Sequence, residues 1–372
     1  MSNLLKMRGG KENMRGKLWT PKTWIILGGF IFGILATLLT KWGNPANMGI
    51  CVACFWRDVA GGIGLHRAEV VQYIRPEIIG FVFGAFFSAY AFREFKPRGG
   101  SSPLLRFFLG VFFMVGALVF LGCPVRALIR LAGGDLNGIT ALLGIILGAF
   151  VGIQFLKGGF NLGRSGKAPM FSALIIPLAM VALLLLSIFK PPFIFFSLKG
   201  PGSQHAALLV SLLAGIVVGF IAQKTRMCFV GGWRDIMLVR DFYLASGIAA
   251  FFVGVLLFNY LLGNFSSGLY HWGFTKQPIA HDNHLWNFLG MTLSGLTATL
   301  LGGCPLRQTI MAGEGDTDAG ITVLGLIVGA ALSHNFLLAS SPKGPSGFGP
   351  TAVIIGLAFC LFVGFSMMER ER

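Results

Sequence analysis

Charge is what this chain has least of. Asp and Glu number only 14 in 372 residues, and all charged residues make up 12% against 55% hydrophobic. A soluble domain carries about 25% charged residues, so a water-soluble globular protein is excluded. Nucleotide and hydrolase signatures are also missing. There is no Walker loop, dinucleotide fingerprint, catalytic triad or zinc-protease motif, which argues against an ATP-driven pump or a membrane hydrolase. The expectation is a non-enzyme without cofactor or metal. Cysteine is sparse too. Four of the six cysteines lie at or beside apolar segments, and their spacing fits no small secreted scaffold, so structural disulfides are not expected. The shortage of acids leaves a formal charge of +16. The basic residues are scattered through loops between apolar runs, which fits membrane orientation and not a nucleic-acid partner.

What is present is apolar length, with 53 glycines and 36 phenylalanines. Crossing hydrocarbon takes roughly 20 residues. Spans are predicted at about 24–40, 77–92, 104–122, 138–156 and 170–189, then at 206–222, 243–262, 285–303, 320–338 and 350–368, about ten in all. The expected organisation is a basic tail (1–23), a first membrane repeat (24–189), a linker (190–205), a second repeat (206–368) and a short tail (369–372). The first run leads into Lys41-Trp-Gly-Asn-Pro without a small-residue cleavage site, so it reads as a retained helix, not a signal peptide. Gly43 to Asp58 and the amphipathic connector ending at Arg75-Pro76 are too polar to cross; they read as a re-entrant piece and an interfacial helix.

Three blocks recur. Leu121-Gly-Cys-Pro-Val-Arg126 running to Asp135 matches Gly302-Gly-Cys-Pro-Leu-Arg307 running to Asp316, at an offset of 181. Leu143 to Ala149 matches Leu324 to Ala330 at the same 181, and Cys51-x4-Trp56-Arg-Asp58 matches Cys228-x4-Trp233-Arg-Asp235 at 177. A nearly constant offset over three blocks is a duplication. Five spans per half send the second copy in from the opposite side, so the repeat is inverted. With the N-terminus inside, 19 Lys and Arg fall on the cytoplasmic side and 10 outside, which places both termini in the cytoplasm.

Each Gly-Cys-Pro interrupts an apolar run. Proline suits the first turn of a helix, where its missing N–H has no partner to lose. A half-helix therefore starts at Pro124 and at Pro305, behind Gly122 and Gly303. Cys123 and Cys304 sit at its partially positive end with Arg126 and Arg307 one turn in, an arrangement suited to an anion. Broken helices at matching positions of two repeats point to a transport site. Asp135 and Asp316 are available partners for the arginines, and they also read as caps for the helices that follow.

At these residues the chain resembles the YeeE/YedE sulphur-transport family of inner-membrane permeases. Its characterised members move thiosulfate, and its YedE-like branch is associated with selenium. The likeness covers roughly 24–368. It implies an all-α, polytopic, hourglass-shaped bundle of two pseudo-symmetric repeats whose half-helices meet at the membrane centre. It further implies that cysteines at the pinch pass the anion along through S–H hydrogen bonds. That role falls on Cys123 and Cys304, with Cys51 or Cys228 towards a vestibule; Cys54 is a further peripheral thiol. A cytosolic sulphur-carrier protein near the inner mouth is implied as a partner, alongside the lipid bilayer and a small sulphur or selenium anion.

Other readings are blander. Cys360 reads as a small core residue. Cys51-x2-Cys54 is a C-x-x-C pair, and a zinc site would need two further ligands nearby. Polarity of an outer loop accounts for His281 and His284. Glu314, Asp316 and Asp318 read as helix-flanking acids. In the leading reading Cys123 and Cys304 work as protonated thiols. The alternative function is a membrane thiol-disulfide exchanger, which requires Cys123 and Cys304 to bond to each other.

Overall fold

The computed structural model describes residues 20–368. The expected tail 369–372 and all but the last few residues of the tail 1–23 lie outside the described residues. The protein is an all-α polytopic bundle, with a single two-stranded ribbon among the described residues.

Seven helices form the first half: α1 (Pro21–Lys41), α2 (Val52–Gly62), α3 (Pro76–Ala91), α4 (Pro103–Phe120), α5 (Pro124–Ala132), α6 (Asn137–Lys157) and α7 (Met170–Phe189). Seven form the second: α8 (Leu208–Thr225), α9 (Gly231–Val239), α10 (Tyr243–Leu261), α11 (His284–Leu300), α12 (Pro305–Gly313), α13 (Thr317–Asn335) and α14 (Gly349–Ser366). The order of long and short helices is the same in both. Strands β1 (Arg98–Gly99) and β2 (Gly166–Lys167) pair antiparallel between two loops of the first half.

Of the ten predicted spans, nine fall on helices long and apolar enough to cross a membrane among the described residues. The tenth, α3, has 16 residues, or about 24 Å at 1.5 Å per residue, short of a full hydrocarbon crossing. Local sequence explains the ends. Thr20 accepts a hydrogen bond from the Thr23 N–H at 3.2 Å with Pro21 next in line, which starts α1. The re-entrant reading of the segment after α1 has its counterpart in α2, all of whose residues are buried.

The connector from residue 63 to 75 corrects an expectation, because it forms no helix. His66, Gln72 and Arg75 turn inward, while Arg67 and Glu69 stay exposed. Arg75 is fully buried, donates to Asp58 Oδ2 at 2.8 Å and also caps the Pro201 and Gln204 carbonyls. A segment that forms no helix has no helical face to lie on a membrane surface.

The closest helix pairings all join one half to the other: α1 with α10, α3 with α8, α4 with α13 and α6 with α11. Exchanging the halves turns the first pairing into the second and the third into the fourth. Lipid gives no hydrophobic drive for helices to associate, so backbones must approach closely, and small residues allow it. A Cβ on Gly29 would run into the Gly247 carbonyl oxygen, and one on Gly33 into that of Phe251. The outward faces stay apolar, with Leu104, Phe171 and Phe362 among the most exposed.

The loops sort into two sets. At one end Asn335 meets Leu65, Arg75 meets Gln204 and Asn137 meets Phe274. At the other, Arg226 meets Glu94, Arg98 meets Asp316 and Ser165 meets Asp318.

Candidate functional site

Helix α4 stops at Leu121 and α11 just before Gly302, residues that correspond in the duplication and share a left-handed backbone, φ 67° and 78°. Two residues later each chain is extended at the cysteine, φ −91° and ψ 174° at Cys123 and φ −70° and ψ 171° at Cys304. The following proline enforces this by crowding the residue before it. Pro124 and Pro305 then open α5 and α12, with the cysteines as N-caps. The glycine of the motif has a steric cause. A Cβ on Gly122 would lie 2.6 Å from Arg126 Cδ, and one on Gly303 would lie 2.9 Å from Arg307 Cγ. Each arginine folds back across its own glycine.

The second pair of cysteines follows the same plan. Cys51 Sγ accepts from the Cys54 N–H at 3.4 Å, and Cys228 Sγ accepts from the Gly231 N–H at 3.2 Å, so each sulfur caps a half-helix three residues on. Within each half the two cysteines meet: Cys51 Sγ lies 3.8 Å from Cys123 Sγ, and Cys228 Sγ accepts from the Cys304 N–H at 3.3 Å. All of these thiols are free.

Asp135 and Asp316 do not pair with Arg126 and Arg307, which corrects the sequence expectation. Asp135 takes Arg130 Nε at 2.6 Å and the Asn137 N–H at 3.0 Å. Asp316 takes Arg98 Nε at 2.7 Å and caps α13 through the Ala319 N–H at 3.0 Å. Their reading as caps agrees with this geometry. Arg126, fully buried, has no carboxylate partner among the described residues. It donates to the carbonyls of Asn47 at 2.8 Å, Ile279 at 3.0 Å and Leu121, and to Cys54 Sγ at 3.4 Å. Arg307 instead holds Glu314 Oε1 at 2.8 Å.

The two ends therefore differ. Around Arg126 the protein is closed. Beside Arg307 a cavity of about 260 Å³ is lined by Arg226, Cys228, Arg234, Asp235, Tyr243, Leu244, Gly302 and Arg307. Three guanidiniums, one carboxylate that already pairs with Arg234, one thiol and a phenol surround this small volume, which leaves a net positive lining that can hold a compact anion. Among the larger cavities, those of 640 and 360 Å³ are walled almost wholly by apolar side chains such as Phe112, Ile355, Leu128 and Phe252, while one of 560 Å³ has Lys96, Arg98 and Lys167 in its lining. The two apolar ones have no cysteine in their linings and suit hydrocarbon.

Arg57–Asp58 and Arg234–Asp235 form the same neighbouring pair in both halves, at 2.6 and 2.8 Å, the first buried and the second beside the cavity. Sequence reasoning missed Arg226, which bridges Glu94 at 3.2 Å and Glu314 at 3.0 Å, and Arg130, which stacks 4.1 Å over Phe120. Arg226, two residues before Cys228, was the available signal. His281 is a buried cap on the Val119 carbonyl at 2.8 Å.

Broken apolar helices, a cysteine at each break and a basic cavity beside one of them define an integral membrane protein of the half-helix type. The chain belongs to the sulphur transport family, whose profile, described as "Sulphur transport", matches residues 3–151 and 224–366. It is 31% identical over 119 residues, 32% of this chain, to the thiosulfate transporter TsuA of Spirochaeta thermophila. It is 30% identical over 137 residues, 36% of this chain, to the thiosulfate transporter TsuA of Escherichia coli. The matched stretches span 34% and 36% of those relatives' own lengths.

Proposed function

We propose that this protein is a membrane permease or channel for a small sulphur-containing anion of the thiosulfate type, or its selenium analogue, and not an enzyme. One observation carries the reading: Cys228, Arg226, Arg234 and Arg307 converge on one open cavity at the start of the half-helix that Cys304 caps. The anion's oxygens are met by guanidiniums and half-helix N–H groups, while its soft terminal atom accepts weakly from S–H donors. The path runs from the cavity past Cys228 and Cys304 and across the centre to Cys123 and Cys51. Arg126 stands behind the closed end and Arg307 at the open one. Membership of the sulphur transport family supports the substrate class.

The halves are read as inverted repeats in a bacterial-type inner membrane, with the cavity facing the cytoplasm. The two sets of loop contacts support this reading, with the short α3 taken as the fifth span of the first half because Arg75 before it and Glu94 after it belong to opposite sets. A cytosolic sulphur-carrier protein receiving the anion at that mouth extends the proposal.

Uptake of labelled thiosulfate by cells lacking their own transporters tests it. Ser or Ala at Cys123 or Cys304 should abolish uptake while the protein stays in the membrane. Uptake at the wild-type rate by all four variants would refute the cysteine path. On the sequence alone, a second reading, thiol-disulfide exchange, requires Cys123 and Cys304 to bond. Both are free and each meets a cysteine of its own half, so the contact that favours this reading is instead the one between the Cys51 and Cys123 sulfurs at 3.8 Å. It needs them to close to about 2.05 Å. Maleimide labelling separates the two: transport expects slow labelling that thiosulfate suppresses, and exchange expects labelling that appears only after reduction.

A further inference from the structure

We propose that Glu314 is an internal anion that holds Arg307 until substrate displaces it, so that this carboxylate sets both the affinity and the release rate of the cavity. The inference rests on the anion-permease reading. Glu314 is 2% exposed and caps the C-terminal end of α12, where the helix dipole disfavours a negative charge. Arginines hold it there, with Arg307 Nη1 at 2.8 Å, Arg226 Nη1 at 3.0 Å and Arg98 Nη2 at 3.8 Å. Arg307 and Arg226 both line the cavity with Cys228. An anion reaching that thiol meets guanidiniums already satisfied by a carboxylate and must share or displace it.

The duplication isolates the feature. At the offset of 181, the residue corresponding to Glu314 is Gly133. Arg126, the counterpart of Arg307, is held by backbone carbonyls, which cannot swing away. A carboxylate on a flexible side chain can, and Arg98 is already beside it to receive it. The physical need is for release. Conduction requires a site attractive enough to fill and weak enough to empty. Arg226 also has Glu94 at 3.2 Å and Arg234 has Asp235 at 2.8 Å, so without Glu314 it is Arg307 that would stand uncompensated and retain a divalent anion. Glu314 acts through Arg307 as a positioning residue.

The test uses the purified full chain, with thiosulfate binding measured by calorimetry and uptake in proteoliposomes. E314Q should lower Kd and KM about tenfold, within the usual range of site coupling, and should lower turnover as well. E69Q removes one charge from an exposed pair with Lys199 at 3.7 Å and should change neither. A merely structural carboxylate would lose turnover without a fall in KM, and that result overturns the proposal. If E314Q does not insert, E314D, which retracts the carboxylate by one methylene, must shift Kd in the same direction; unchanged or weaker binding overturns it. If the wild-type protein binds neither thiosulfate, sulfate nor selenite, the permease reading fails and takes this one with it. Wild-type binding with no gain in E314Q refutes this one alone.

Discussion

Arg126 and Arg307 occupy equivalent positions in the duplication, yet their replacement by alanine should have opposite consequences. Arg126 is fully buried and is the common donor to three backbone carbonyls, on Asn47, Leu121 and Ile279. These come from the loop before α2, the break after α4 and the long loop before α11. Its removal orphans two buried acceptors and a half-buried one, the buried ones costing about 1–3 kcal/mol each, or about 2–6 kcal/mol together. That approaches the whole stability of many proteins, about 5–15 kcal/mol. Arg307 holds one carboxylate beside a cavity, and Glu314 keeps Arg226 when Arg307 is gone. Breaking a buried pair is costly when it strands a charge, but Arg226 at 3.0 Å and Arg98 at 3.8 Å remain beside Glu314, so the loss of Arg307 strands none. R126A should therefore lose its monodisperse peak in detergent size-exclusion chromatography after mild heating. R307A should keep it and lose anion uptake. Lys at 307 should rescue uptake only in part, since it restores charge without the planar fork. An R126A protein as heat-resistant as wild type would refute the assignment of Arg126 to the closed end's framework.

Three further outcomes are expected. Reporter fusions at the N-terminal tail, within 263–284 and at the C-terminus should read inside, outside and inside, and an outside reading at either terminus would overturn the inverted arrangement. Gly302 has φ 78° and nothing within 4 Å of where a Cβ would go, so G302A meets strain without a clash; it should cost about 1 kcal/mol, read by chemical denaturation. Glu94, in the loop after α3, is held below its ordinary 4.5, first by the Gln223 hydrogen bond and then by Lys224 and Arg226. A lowered folded value means that its contribution is present above the unfolded value and is lost as pH falls through the folded one. The melting difference between wild type and E94Q should thus be full at pH 7 and close only below 4.5; a difference that already vanishes at pH 6 would contradict the pairing.

Much of this architecture was legible along the chain because its causes are local. Apolar length marks helices that cross, and proline after cysteine forces an extended residue followed by a first helical turn, so the breaks at Cys123 and Cys304 lie where the spelling puts them. A constant offset reveals a duplication because it compares the chain with itself. Partner choice was not legible. Arg130 lies five residues from Asp135 and takes it, whereas Asp316 is taken by Arg98, 218 residues away. Cys51 meets Cys123 across 72 residues. Such pairings depend on how closely glycine-lined helices bring the two halves together, and that is a property of packing. The offset likewise predicts sameness and is silent on difference. That one arginine lies sealed among carbonyls while its twin faces a cavity across a carboxylate follows from Glu314 standing where the first half has Gly133, and only the tertiary structure brings Glu314 against Arg307 and Arg226.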